Sequence, residues 1–127
     1  MAKILIVDDD KTLVHVTKIA LVKSGHEVNT AYSATQAIEE MKNKKPDLVL
    51  MDIMMPGISG AEAVKLLHQE PGLKDIPVLL LTGLISSKES DLQKNGINIE
   101  GLAYPTLGKP YEIIDLLIAI GDVLIKS

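Results

Sequence analysis

Acidic residues crowd two places where apolar runs stop, and a hydroxyl and a lysine stand at two more. Asp8-Asp9-Asp10 closes the run at residues 3–7, Asp52 closes residues 47–51, Thr82-Gly83 closes residues 76–81, and Lys109 follows a weaker apolar stretch. If these ends meet, the carboxylates repel one another and the pocket is costly without positive charge. A divalent cation resolves the conflict, and magnesium in particular takes hard oxygen ligands, commonly one or two carboxylates together with a phosphate. Lys109 adds a compact point charge suited to a phosphate. Thr82 adds a hydroxyl donor, and Gly83 lets its backbone N–H come close to a ligand. Such a set asks for a dianion, and a carboxylate can itself accept a phosphoryl group as an aspartyl phosphate. Asp52 is the best acceptor candidate, because it stands alone at the end of a central run.

The elements that must position these residues follow from the pattern. The runs at 3–7, 47–51 and 76–81 are continuously apolar, as strands covered on both faces are. Residues 27–32 alternate, with Val28, Thr30 and Tyr32 on one side, and read as a more exposed strand. A fifth, weaker strand is expected at residues 101–106, where Pro105 is tolerable only at a sheet edge. Between the runs lie helical segments. Residues 12–24 carry Leu13, Val16, Ala20 and Val22 at helical spacing and stop at Gly25. Ser33 with Gln36, Ser59 with Glu62 and Ser86 with Glu89 repeat a capping-box spacing, and a last helix spans residues 111–125. The alternation predicts an α/β fold, a parallel sheet with helices on both faces. A flavodoxin-like strand order, 2-1-3-4-5, puts strands one and three side by side at the switch point, where Asp8, Asp9 and Asp52 converge.

With those pieces in order, the chain resembles the receiver domain of bacterial response regulators, of the single-domain type similar to chemotaxis regulators. The resemblance rests on Ile6-Val7-Asp8-Asp9-Asp10, on Asp52-Ile53-Met54-Met55-Pro56-Gly57-Ile58-Ser59-Gly60, on Leu81-Thr82-Gly83 and on Gly108-Lys109-Pro110-Tyr111, and it covers the whole chain. It implies a flavodoxin-like doubly wound (βα)5 sandwich, with residues 1–127 as one receiver domain and no output domain. Asp52 is then the phosphoacceptor. Asp9 binds Mg²⁺ directly, Asp8 lies nearby and acts through water, and the Met54 carbonyl is a further metal ligand. Thr82, Lys109 and the backbone N–H groups of Met54 and Gly83 hold the phosphoryl oxygens. The Lys109–Pro110 bond is expected to be cis. The implied partners are a sensor histidine kinase or phosphotransfer protein upstream and a target protein downstream. The implied activity is signalling, confined to the chain's own phosphorylation and slow dephosphorylation, and not turnover as an enzyme.

Three features depart from the family pattern or go beyond it. The family carries an aromatic three positions before the lysine; here that position is Thr106, and Tyr104 is too far displaced for a one-residue shift. The stretch between Thr82 and Lys109 is longer than usual, with the surplus at residues 95–101. The last helix gathers Glu112, Asp115, Asp122 and Lys126 on one arc and spreads aliphatic residues over roughly twice the ~100° a core-facing stripe needs. Ile114, Ile118 and Ile125 are therefore expected to form part of a homodimer or partner surface.

Composition narrows the alternatives. The net charge is −4, all 13 basic residues are lysine, Phe and Trp are absent and Tyr occurs three times. Neither a basic stripe nor stacking aromatics supports direct nucleic-acid binding. There is no cysteine for disulfide or thiolate chemistry. No run of ~20 uninterrupted apolar residues spans a membrane, and a cytoplasmic location is expected. Asp10 reads as a cap for the first helix and not as a ligand. His15, His26 and His68 share no motif and are not read as internal phosphoryl donors. Two other functions compete: a phosphorylation-independent interaction module, favoured by Thr106, and a metal-dependent phosphatase. The phosphatase is disfavoured because Ile53 and Met54 follow Asp52 where a second acid would serve as general acid/base.

Overall fold

A computed structural model describes residues 2–53, 60–73, 75–83, 97–99, 102–109 and 111–126. In chain order the elements are β1 (Lys3–Val7), α1 (Lys11–Lys23), β2 (Glu27–Ala31), α2 (Ala34–Asn43), β3 (Leu48–Asp52), α3 (Gly60–Gln69), β4 (Val78–Thr82), β5 (Ile97–Ile99), β6 (Leu102–Tyr104), β7 (Thr106–Gly108) and α4 (Ile113–Lys126). Five strands form one parallel sheet in the order β2-β1-β3-β4-β7. This is the expected flavodoxin-like architecture, with β7 as its fifth strand.

The continuous apolar runs are explained by the pleat, which sends alternate side chains to opposite faces. Leu5, Val7, Val49, Met51, Val78 and Leu80 enter one core with α2 and α3. Ile4, Ile6, Leu48, Leu50, Leu79 and Leu81 enter a second core with α1 and α4. Each helix pair thus covers one side of a three-layer sandwich.

Local chemistry sets the helix starts. Asp10 caps α1, its Oδ1 accepting from the Leu13 amide at 3.1 Å. Ser33 caps α2 by accepting from the Gln36 amide at 3.1 Å, while Gln36 Oε1 accepts from the Tyr32 amide at 2.9 Å. The capping signals expected at Ser59 and at Ser86 with Glu89 lie outside the described residues.

Two expectations are corrected. The inward stripe of α1 is Val14, Thr17 and Leu21, and Val16 and Val22 face outward. The helix is aliphatic nearly all round, so periodicity alone selects no face. Thr17 is accommodated inside because its hydroxyl hydrogen-bonds the Tyr111 hydroxyl at 2.9 Å. The second correction concerns the strand expected at residues 101–106. Here β5 and β6 form an antiparallel pair of their own, and the sheet edge is completed later by β7. Pro105 separates the two: it has no N–H to extend a ladder, yet its carbonyl accepts from the Leu80 amide at 2.9 Å.

Part of the surplus segment is therefore structural. Ile99 and Tyr104 are buried in the α2/α3 core, and the Tyr104 hydroxyl hydrogen-bonds the His68 imidazole at the end of α3. A Tyr104→Phe chain is expected to lose about 1 kcal/mol of unfolding free energy through that bond, against roughly 3 kcal/mol or more for Tyr104→Ala, which also empties the ring site. Urea titration of the two variants measures the difference; an unchanged Tyr104→Phe would mean that the hydroxyl contributes nothing, and equal losses that the ring does not.

Candidate functional site

The carboxyl ends of β1, β3, β4 and β7 form one edge of the sheet. By the pleat, Asp8 follows Ile4 and Ile6, and Asp52 follows Leu48 and Leu50, on the α1/α4 side. β1 pairs directly with β3, Val7 opposite Met51, so the strand-end acids become neighbours. One carboxylate oxygen from each of Asp8, Asp9 and Asp52 lies within 4.8 Å of the others. Asp8 and Asp52 are buried and Asp9 is exposed at the mouth.

Lys109 reaches this cluster from the end of β7. Its Nζ donates to Asp8 Oδ2 at 2.8 Å and to Asp52 Oδ2 at 3.4 Å, with the side chain only 19% exposed. The Lys109 amide donates to the Thr82 carbonyl at 2.8 Å, which extends the β4–β7 pairing past Gly108 and fixes the backbone from which the side chain reaches the acids. Burial pulls the Lys109 pKa down, but the hydrogen bond and charge of Asp8, joined by those of Asp52, outweigh it and hold the ammonium above the usual lysine range. Asp8 is held twice, since its Oδ1 also accepts from the Asp10 amide at 3.0 Å.

Thr82 closes β4 as a buried residue opposite Gly108 of β7. Gly83 is exposed beside it, and a Cβ built there meets nothing within 4 Å. Among the described residues, no packing demands glycine at that position. Met54 and the Lys109–Pro110 bond lie outside the described residues.

The donor set tests the expectation of a hard cation. Among the described residues, three carboxyl groups gather with the Lys109 ammonium, and their oxygens are the hard donors that magnesium takes. The residues fit such an ion. Asp10 caps α1 and is no member of the cluster, as expected.

Sequence reasoning missed two details. One is that Lys109 pairs with Asp8 as well as reaching Asp52; β1 and β7 are separated by β3 and β4 in the sheet, so no local signal in the sequence announces that pairing. The other is Tyr111, which sits next to the Lys109-Pro110 pair and ties the chain before α4 to Thr17. Burial raises the Tyr111 pKa, with the Thr17 hydrogen bond working the other way. Thr106 is buried at the start of β7, opposite Leu80, while the aromatic Tyr104 is taken up by α3.

Comparison with known proteins agrees with the geometry. The family model for the response regulator receiver domain matches residues 4–120. Protein PilH of Pseudomonas aeruginosa is 36% identical over 124 residues, covering 98% of each chain. Among solved structures, a putative response regulator from Chloroflexus aurantiacus superposes with a TM-score of 0.81 at 31% identity, covering 98% of each chain. The Vibrio cholerae chemotaxis protein CheY4 superposes with a TM-score of 0.81 at 29% identity, covering 97% of this chain and 98% of that one.

Proposed function

We propose that this chain, which belongs to the response regulator receiver domain family of two-component signalling, accepts a phosphoryl group on Asp52 from a histidine kinase or phosphotransfer protein and signals through a partner protein. The observation that carries this reading is the lysine bridge between two buried carboxylates, with a third acid at the mouth.

In the transfer, the bond from phosphorus to the donor breaks as one from an Asp52 carboxylate oxygen to phosphorus forms. Bound Mg²⁺, held by Asp8, Asp9, Asp52 and the Met54 carbonyl, would offset charge on the phosphoryl oxygens. Lys109 supplies a positive charge that is present at every physiological pH and is already aimed at Asp52. Thr82 and the backbone N–H groups of Met54 and Gly83 receive the remaining phosphoryl oxygens. Preorganised donors of this kind supply most of the help a phosphoryl transfer needs. The chain catalyses only its own phosphorylation and slow loss of the group. A cytoplasmic location goes with that role; no helix among the described residues is long and apolar enough to cross a membrane. In this reading, output passes through a target protein or through a homodimer formed on Ile114, Ile118 and Ile125 of α4.

Intact-protein mass after incubation with acetyl phosphate tests the reading. With Mg²⁺ present the chain gains one phosphoryl group as acetate leaves, and chelation with EDTA abolishes the gain. No gain, under conditions where a control receiver is modified, would favour a phosphorylation-independent interaction module, the reading to which Thr106 lends weight.

A further inference from the structure

Helices α1 and α4 lie side by side over the same core, and the Thr17–Tyr111 hydrogen bond ties α1 to the chain just before α4. Both leave large aliphatic side chains in solvent. On α1 these are Val16, Ile19 and Val22, at 52, 43 and 50% exposure; on α4 they are Ile114, Ile118 and Ile125, at 62, 59 and 84%. No other pair of neighbouring helices among the described residues exposes so many. Scattered single apolar residues on a surface mean little, but six on two adjacent helices form a patch.

The charges on the two helices are opposite in sign, apart from Lys126 at the last position of α4. Helix α1 contains Lys11, Lys18 and Lys23, with His15, and no acid at all. Lys18 and Lys23 are exposed beside Ile19 and Val22. Helix α4 exposes Asp115 and Asp122, each adjoining one of the isoleucines in the α4 stripe or lying one turn from it, and Glu112 precedes them. Gly121 falls between Ile118 and Ile125, and a Cβ there meets nothing within 4 Å, so the stripe has a notch where another helix can approach.

We propose that two copies of this chain pair through this face about a two-fold axis, with α1 of each copy against α4 of the other. This deepens the α4 homodimer reading above and rests on it. A face that is basic and aliphatic on one helix, acidic and aliphatic on the next, is complementary to itself after a two-fold rotation, as an isologous interface requires. Pairing α4 with α4 instead would bring aspartates together, and pairing α1 with α1 would bring lysines together; such like-charge contacts are disfavoured. Two neighbouring helices of about 20 Å each and ~10 Å across, 8–10 Å apart, offer a face of roughly 400 Å² in projection, at the small end against the ~800 Å² per partner of a standard interface, so the pairing is expected to be reversible and concentration-dependent.

The test is sedimentation velocity of the full chain over a range of concentrations, with two exposed-site variants whose folding is checked by circular dichroism. One carries Lys18→Glu and Lys23→Glu, the other Asp115→Lys and Asp122→Lys. The natural chain is expected to pass from monomer to dimer as concentration rises. Each variant alone should self-associate about tenfold or more weakly, and an equimolar mixture should recover dimers containing one of each. A natural chain that is monomeric at every concentration overturns the proposal, together with the α4 homodimer. Variants that dimerise as well as the natural chain, or that fail to recover on mixing, overturn the α1-to-α4 pairing. In that case, loss of dimer in Ile118→Lys leaves a simpler α4 contact standing. Phosphoryl uptake by acetyl phosphate is read separately and is independent of these outcomes.

Discussion

A chain carrying Asp52→Ala is expected to take up no detectable phosphoryl group from acetyl phosphate and Mg²⁺, while Asp8→Ala and Asp9→Ala are expected to retain some uptake at a reduced rate. The three acids are close enough to be confused, since an oxygen of each lies within 4.8 Å of the others. Their surroundings separate them. Both oxygens of Asp8 are engaged, Oδ2 by Lys109 at 2.8 Å and Oδ1 by the Asp10 amide at 3.0 Å. A carboxylate so held is a positioner and charge partner, poorly placed to attack phosphorus. Asp9 is exposed at the mouth, where a cation can reach it without crossing the protein. Asp52 ends the central strand, flanked by β1 and β4, and its contact with Lys109 is the longer one at 3.4 Å. That leaves the ammonium near the oxygen expected to accept the phosphoryl group. Peptide mapping of the modified chain checks the assignment: the label belongs on the peptide containing Asp52, and equal uptake by Asp52→Ala would transfer the acceptor role to another acid. For Asp9→Ala the expected signature is a raised Mg²⁺ requirement, because one cation ligand is gone and the acceptor remains.

Much of this site is legible before any coordinates, for a definite reason. Strands buried on both faces write themselves as continuous aliphatic runs, and the first polar residue after such a run marks the strand end. Asp8, Asp52 and Thr82 are found in that way, and parallel right-handed connections then bring the ends to one edge. The same logic fails where the apolar signal is ambiguous. In α1, aliphatic residues occupy nearly every face, so Val16 reads as core although it is exposed and Thr17 is inside. The deciding interaction, Thr17 with Tyr111, joins residues 94 apart in sequence, and no local pattern announces it. The hairpin of β5 and β6 is hidden for a similar reason. Its strands are three residues each, and what fixes them is Ile99 and Tyr104 docking against α3. The Lys109 bridge lies between these extremes: each partner is identifiable from sequence, but their pairing with one another follows only from the register of the sheet.

Lys109→Met is expected to slow phosphoryl uptake by ~10²-fold or more, the usual effect of removing one preorganised charge donor, and to destabilise the metal-free chain at the same time. The second effect comes from Asp8 and Asp52, which are buried and lose their shared cation. Breaking a buried ion pair by deleting one partner costs ~3–5 kcal/mol, and the partial exposure of Lys109 lowers the expectation here to about 2 kcal/mol. The pH dependence distinguishes this electrostatic loss from a packing loss. The folded-state pKa of Lys109 is raised above its ordinary value, so the folded chain holds its proton to higher pH than the unfolded chain does. The stability it contributes is fully present below the ordinary lysine pKa of ~10.4 and is lost as pH climbs through the folded value. Tyr111, whose pKa is also raised, contributes with the same sign in the same alkaline range, so the quantity to read is the difference between the natural chain and Lys109→Met. That difference should be constant through neutral pH and shrink above pH ~10.4. Added Mg²⁺ should narrow it at neutral pH: a cation that binds only the folded cluster stabilises both chains by mass action, and the variant more, because acids without the lysine's charge hold the cation more tightly. A difference that neither shrinks in alkali nor responds to Mg²⁺ would mean that Lys109 acts through its aliphatic stem and not through its charge.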